Sequence, residues 1–229
     1  MSEENNVTSQ ADELPPASQK TKEQWLDEGN LLSFYAPRRY EEGLAAYEQA
    51  IRLDPTYGLA WRMKGYTLRA LKRYEAALAA YEQAISLDAT DAQAYIGMGD
   101  ILYDLKRYEE ALLSYEQALR LDPTSAEAYV NSTTILTTLS RYEEALAACE
   151  GAIRLEPRYA LNHASKGWLL ERLARYEEAL TAYQEANRLE PNDAGIWRSI
   201  GDVLTTLGRP QEAQQAYEKA RQLDSEEQA

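Results

Sequence analysis

The stretch Lys106–Pro123, KRYEEALLSYEQALRLDP, recurs along the whole chain, and each recurrence is displaced by 34 residues. Upstream it reads RRYEEGLAAYEQAIRLDP (Arg38–Pro55) and KRYEAALAAYEQAISLDA (Lys72–Ala89). Downstream it reads SRYEEALAACEGAIRLEP (Ser140–Pro157), ARYEEALTAYQEANRLEP (Ala174–Pro191) and the eroded GRPQEAQQAYEKARQLDS (Gly208–Ser225). A period of 34 residues is that of one helix–turn–helix unit in a solenoid. A lone helix pair cannot bury its apolar face, so such units stack and share one continuous core. The expected fold is therefore all-α, an α-solenoid of antiparallel helix pairs.

Six units follow, at residues 22–57, 58–91, 92–125, 126–159, 160–193 and 194–227, preceded by a tail at 1–21 and followed by residues 228–229. The tail lacks an apolar period, contains Leu14-Pro15-Pro16 and reads as a disordered acidic segment. In the second unit Trp61, Gly65, Leu68 and Leu71 mark a first helix, A. Tyr74, Ala77, Leu78, Tyr81, Ala84 and Ile85 mark a second, B, with the turn near Leu71–Tyr74. Pro55, Pro123, Pro157 and Pro191 close helix B by disfavouring helical geometry in the residue before them. Ala89 stands where those prolines stand, which predicts a less sharply defined junction there.

Charge narrows the partner. A formal net charge of -14 opposes nucleic acid and anionic membrane surfaces, both of which are bound through Lys and Arg. It suits either plain solubility or a protein partner carrying basic segments. The beginning, MSEENNVTSQ, has no basic segment leading into an apolar core, and no run is apolar enough to span a bilayer. The expected location is cytoplasmic. The one cysteine, Cys149, takes the place of Tyr81, Tyr115 and Tyr183 and is expected to be a small buried hydrophobe. Asn6 and Asn131 match the glycosylation acceptor pattern by chance.

The third unit runs Tyr95-x2-Met98-Gly99-x2-Leu102, then Ala111-x3-Tyr115, then Pro123. In this it resembles the tetratricopeptide repeat family, whose pattern is W-x2-L-G-x2-Y, A-x3-F, P. The resemblance extends over about Lys22 to Glu227 in six units. The RNA-reading pentatricopeptide family, with its longer period, is disfavoured by the invariant step and the acidic charge. The tetratricopeptide resemblance implies a right-handed superhelix whose A helices line a concave face that holds peptide segments.

The repeating columns have packing reasons. Gly29, Gly65, Gly99, Gly167 and Gly201 let helix A approach helix B, with Ala77, Ala111, Ala145, Ala179 and Ala213 expected opposite them. Tyr40, Tyr74, Tyr108, Tyr142 and Tyr176 form a core column. In the first unit two extra residues before Tyr40 predict a longer turn within Ala36–Arg39. In the last, Gln214 and Arg221 replace apolar residues and make the terminal helix its own polar cap, which favours a monomer. The fourth helix A is odd: Thr133 takes the glycine place within a run rich in Thr, expected to weaken that unit, to let it flex or to offer a polar patch.

Material for catalysis is scarce. His163, the only histidine, falls in the Trp61/Tyr95/Tyr129/Trp197 column and is expected to substitute for an aromatic ring. Asp100 and Asp104 share a helix face and read as a solvated pair, with a held cation as the alternative. No phosphate loop, zinc spacing or Ser-His-Asp set is present. The chain is expected to be no enzyme and to need no cofactor and no metal.

By the resemblance, the inward residues are Asn30, Phe34, Arg62, Tyr66, Arg69, Ile96, Asp100, Tyr103, Asp104, Val130, Thr134, Thr137 and Thr138. Trp168, Glu171, Arg172, Arg198, Asp202 and Thr205 continue the series. Tyr66, Tyr103 and Trp168 are large aromatics outside the core columns and are the expected anchors. Arg62 and Arg69 offer forks for a carboxylate, and Asp100 and Asp104 offer acceptors for a basic side chain. The carboxylate clamp of chaperone-binding relatives is not matched: Ile96, Asp100, Asn131, Leu161 and Ser165 stand at its places, and only Asn131 fits. The expected function is a non-catalytic scaffold or adaptor holding a peptide segment of a partner protein. The alternative is a structural module that self-associates or joins a complex.

Overall fold

The computed structural model describes residues 20–35 and 39–227. Among them the chain forms twelve α-helices and a π-helical turn. The first pair is α1 (Lys22–Asn30, continued by the π-turn Leu31–Tyr35) and α2 (Tyr40–Leu53). Then come α3 (Gly58–Ala70) with α4 (Tyr74–Leu87), and α5 (Ala92–Asp104) with α6 (Tyr108–Leu121). The second half holds α7 (Ala126–Thr138) with α8 (Tyr142–Leu155), α9 (Ala160–Arg172) with α10 (Tyr176–Leu189), and α11 (Ala194–Thr206) with α12 (Pro210–Glu227). Each odd helix packs on the even helix after it, and each even helix on the next odd one. This is an all-α solenoid. Helices α3, α5 and α7 also touch one another directly, which makes the odd helices the inner, more tightly curved layer.

The turns explain how the pairs close. Lys72, Lys106, Ser140, Ala174 and Gly208 all take positive φ, between 56° and 71°. The residue after each donates its N–H back into the helix, as Arg107 does to Leu102 O at 2.8 Å, while Lys106 N–H reaches Tyr103 O at 2.8 Å. That is the Schellman arrangement, which satisfies the last carbonyls of the inner helix. Only Gly208 adopts the left-handed conformation without a Cβ penalty.

The junction at Ala89 is as sharp as its sisters, contrary to expectation. Asp88 has φ -142° and ψ 95°, matching Asp54 at -144° and 96°. Its carboxylate accepts from Thr90 N–H at 2.9 Å and from Thr90 Oγ1 at 2.6 Å. Asp54 with Thr56 and Asp122 with Thr124 repeat the arrangement. The side chain of the aspartate closes the element, so the proline is dispensable.

The glycine column meets tyrosine rings besides the small residues of helix B, of which Gly43 faces Gly29 in the first pair. A Cβ on Gly99 would lie 2.8 Å from the Tyr115 ring, and one on Gly65 or Gly167 equally close to Tyr81 or Tyr183. The ring fills the space between paired helices, and glycine is what admits it. In the fourth pair both members change together: Thr133 replaces the glycine and Cys149 the tyrosine, and both are buried.

At the ends, Thr21 caps α1 through Gln24 in a reciprocal capping box, so it belongs to the helix rather than to the tail. The remainder of the tail, Asn6 within it, most of the expected longer turn at Ala36–Arg39, and residues 228–229 lie outside the described residues. Part of the first unit's extra length is taken up earlier, in the π-turn Leu31–Tyr35. At the other end Gln214 and Arg221 are exposed on α12. No helix among the described residues is long and apolar enough to cross a membrane.

Candidate functional site

The groove helices carry charged residues that the sequence offered to a ligand, and most of them are held within the chain. Arg69 on α3 donates from Nη1 to Asp100 Oδ2 at 2.6 Å and from Nε to Asp104 Oδ2 at 2.8 Å, both on α5. Asp100 Oδ1 accepts further from the Tyr115 hydroxyl at 2.6 Å and from Asn131 Nδ2 at 3.1 Å. The two aspartates are thus neither a solvated pair nor a cation cage but the receiving side of an arginine fork. Burial pushes the Asp100 carboxyl above its ordinary value, opposed by the Tyr115 hydrogen bond and by Arg69. Burial also lowers the Arg69 pKa, but Asp104 and Asp100 outweigh it and hold the guanidinium above its usual range.

Arg62 Nε lies 2.8 Å from Asp91 Oδ2, within ion-pair range but off the N–H direction. Arg198 donates to Asp224 at 2.8 Å. Glu171 accepts from the Tyr183 hydroxyl at 2.5 Å, and Asp202 from that of Tyr217 at 2.7 Å. A pattern recurs in four of the pairs: the tyrosine that faces the glycine extends its hydroxyl to a groove residue, as Tyr115, Tyr183 and Tyr217 do. Tyr47 does so to Asn30 at 2.9 Å. In the fourth pair Cys149 ends that pattern. Its thiol instead donates to Asn162 O at 3.2 Å, and burial raises its pKa to about 11. So raised and so buried, the thiol is unsuited to nucleophilic chemistry.

The expected anchors are free at their faces. Tyr66 is 43 % exposed and packs against Phe34 with ring centroids 4.9 Å apart. Tyr103 leans on Tyr108 at 5.6 Å, and Trp168 meets Tyr142 edge-on at 6.0 Å. Tyr108 and Tyr142 are therefore half-buried supports for the groove aromatics rather than core residues alone. Arg172 lies over both Tyr142 and Trp168, 5.5 and 5.8 Å from their ring centres. Thr134 and Thr138 are exposed, and their hydroxyls bond to the backbone of their own helix, at Val130 O and Thr134 O. Ile96 is buried in the core and presents nothing to the groove.

Trp168 and the threonines of α7 converge in one place. A cleft of about 430 Å³ between α7 and α9 is lined by Thr133, Thr134, Thr137, Thr138, Leu161, Ala164, Ser165, Trp168 and Leu169, with Tyr183 and Ser199 at its far end. Tyr66 and Tyr103, on α3 and α5, do not line it. Leu161, 59 % exposed, belongs to this lining; the sequence placed it only at an unmatched clamp position and not among the candidate binding residues, although it stands three residues before Ala164 on the same helix face. His163 takes the aromatic column's role through its nitrogen. Its Nε2 meets Pro157 O at 2.9 Å, as Trp61 Nε1 meets Pro55 O at 2.9 Å. Among the described residues no group of three or more His, Cys, Asp or Glu side chains converges as metal ligands would.

Family models agree with this geometry. A TPR repeat model matches residues 65–105 and 99–131. Tetratricopeptide repeat models match residues 46–79, 126–159 and 165–227. No curated protein matches the chain. Among solved structures it is similar to YrrB, described as a TPR protein with an unusual peptide-binding site, with a TM-score of 0.71 at 23% identity over 79% of this chain and 93% of that one. It is also similar to MamA, with a TM-score of 0.68 at 23% identity over 71% of this chain and 95% of that one. MamA from Desulfovibrio magneticus gives a TM-score of 0.69 at 19% identity over 75% and 97% of the two chains. At these identities the likeness is one of fold.

Proposed function

The chain belongs to the tetratricopeptide repeat family, and on that premise we propose that it is a non-catalytic scaffold which holds a peptide segment of a partner protein along its odd helices. The observation that carries this reading is the division of labour in the groove. Arg69, Asp100 and Asp104 hold one another at the second and third pairs, while Trp168, Leu161 and the threonines of α7 leave an open, uncharged cleft. Large aromatics exposed beside a pocket that a partner can desolvate are the usual energetic centre of an interface. The similarity to YrrB, a TPR protein with a peptide-binding site, supports the same reading. A partner with basic residues outside the contacting segment would be steered by the net charge of -14, in a way that salt weakens.

The test is a peptide library selected on the full chain, with binding then measured for Trp168→Ala and Tyr103→Ala. Both side chains are exposed, so the melting temperature should hardly change, whereas affinity for selected peptides should fall with Trp168→Ala by about tenfold or more. Equal affinity in the variant would sink the groove assignment. The self-assembly reading draws on one feature, Leu31, which is 58 % exposed in a cleft with Trp25 and Leu32 at the N-terminal end. Light scattering decides it: a defined oligomer that Leu31→Glu dissolves would favour assembly over peptide capture.

A further inference from the structure

In the third pair the Tyr115 ring packs on Gly99, its hydroxyl donates to Asp100, and Asn131 of the next pair shares the same carboxylate oxygen. One repeat further on, the equivalents of Gly99, Asp100 and Asn131 are Thr133, Thr134 and Ser165, and the tyrosine itself is Cys149. All three of those equivalents line the cleft between α7 and α9. The Cys149 side chain is far shorter than a phenol ring and ends at its contact with Asn162 O, so no hydroxyl from α8 extends toward Thr134 and Ser165 as that of Tyr115 does toward Asp100 and Asn131. We infer that this cleft is a pocket for one aromatic side chain of the bound segment, which supplies the ring that the fourth repeat lacks.

The proposal deepens the groove reading and rests on it. The occupant's size has an internal precedent, since Tyr81, Tyr115 and Tyr183 fill the corresponding places in neighbouring pairs. Its charge is constrained by the lining, which contains no Asp, Glu, Lys or Arg. A charged side chain there would be desolvated without a counter-ion. A purely aliphatic one would fill the base on Leu169 but forgo the flanking indole of Trp168, which offers a ring an edge or a face. Thr134 and Ser165 stand one repeat after Asp100 and Asn131, the residues around the Tyr115 hydroxyl, and both line the cleft, so polar side chains are at hand for a phenol's tip.

The decisive variant restores the sisters' own pair, Thr133→Gly with Cys149→Tyr, and so fills the pocket from within. Because it reproduces the Gly99–Tyr115 solution, its melting temperature should be no lower than the wild type's. Should it fold poorly, Ala164→Trp blocks the same cleft from the half-exposed surface of α9. The small probe is p-cresol, the tyrosine side chain in isolation, titrated into the full chain and followed by backbone amide NMR. Shifts clustered at Thr133, Thr134, Ser165 and Trp168, and abolished in the filled variant, are expected. Scattered shifts, or the same titration in the filled variant, would overturn the pocket.

Peptides selected on the wild type should carry an aromatic residue and should bind the filled or blocked variant about tenfold more weakly or worse. Peptides that lose affinity in Trp168→Ala yet keep it in both pocket variants overturn the pocket and leave the groove reading standing. Peptides indifferent to all three substitutions overturn the groove reading, and the pocket with it.

Discussion

Asp100 and Thr134 occupy the same place in successive groove helices, one repeat apart, and their surroundings differ in every respect. Asp100 receives Arg69, Tyr115 and Asn131, so that α3, α5, α6 and α7 are tied through one carboxylate. Thr134 touches only the backbone of its own helix, at Val130 O, and faces an open cleft. The difference follows from a single exchanged contact beneath them. Where Gly99 admits the Tyr115 ring, the hydroxyl reaches the groove and the seam closes. Where threonine and cysteine stand instead, no hydroxyl arrives and the seam stays open. A repeat protein can thus convert one interval of scaffold into a binding interval without altering its period.

The comparison breaks most easily at the packed pair. Gly99→Thr drives a side chain into the Tyr115 ring, which a Cβ alone would approach to 2.8 Å, and should cost about 2–3 kcal/mol by urea denaturation. Adding Tyr115→Cys, which copies the fourth pair, should recover part of that loss. A Gly99→Thr chain with an unchanged midpoint would show that the two solutions are not mutually exclusive.

Next in size is the carboxylate. Asp100→Ala strands the Tyr115 hydroxyl and the Asn131 amide and halves the Arg69 fork, at a cost of about 1–3 kcal/mol. Thr134→Ala should stay within about 0.5 kcal/mol, since its hydroxyl serves only its own helix. Similar midpoints for these two variants would erase the distinction between a tied and an untied seam.

A smaller effect lies in the turns. Lys106→Gly removes the Cβ from a left-handed residue with φ 61° and should stabilise by about 0.5–1 kcal/mol. Gly208→Ala at the equivalent turn should destabilise by a similar amount, and matched shifts of the same sign would refute the strain argument.

The last is a pH dependence. Burial raises the Asp100 carboxyl in the folded chain above its unfolded value of about 3.9. Its contribution is therefore fully present below that value and is lost as pH rises through the folded pKa. Subtracting the stability profile of Asp100→Asn from that of the wild type should leave a term that declines as pH rises from the unfolded value of about 3.9 through the folded pKa. A difference that rises with pH would mean that Arg69, not burial, governs the carboxyl.

Much of the fold was legible because a period is a property of the chain alone. The recurrence of RYEEAL with an aromatic column in the A helices places six helix pairs before any contact is known. His163 was legible too, since its column requires a flat ring, and its N–H meets a loop carbonyl as those of Trp61 and Trp197 do. The proline rule misled at Ala89, because the Asp88 side chain does the closing work and Asp reads as an ordinary surface residue. The charged site residues misled for a related reason. Arg69 and Asp104 stand 35 positions apart, and no local pattern says whether two such groups meet each other or a ligand. Cys149 and Thr133 each stood out as departures, yet their compensation is visible only when the glycine column is seen to oppose tyrosine.

The tetratricopeptide resemblance implied which helices are inner; by itself the sequence determined the architecture and the number of helices. These depend on periodic burial, and periodicity survives without coordinates. Tertiary structure alone decided which groove residues are consumed by neighbours and which remain free. That outcome depends on whether side chains from adjacent repeats come within hydrogen-bonding distance, a matter of a few ångströms set by helix packing. The regular helices carry the fold, and one irregular seam, Thr133 against Cys149, carries the candidate site.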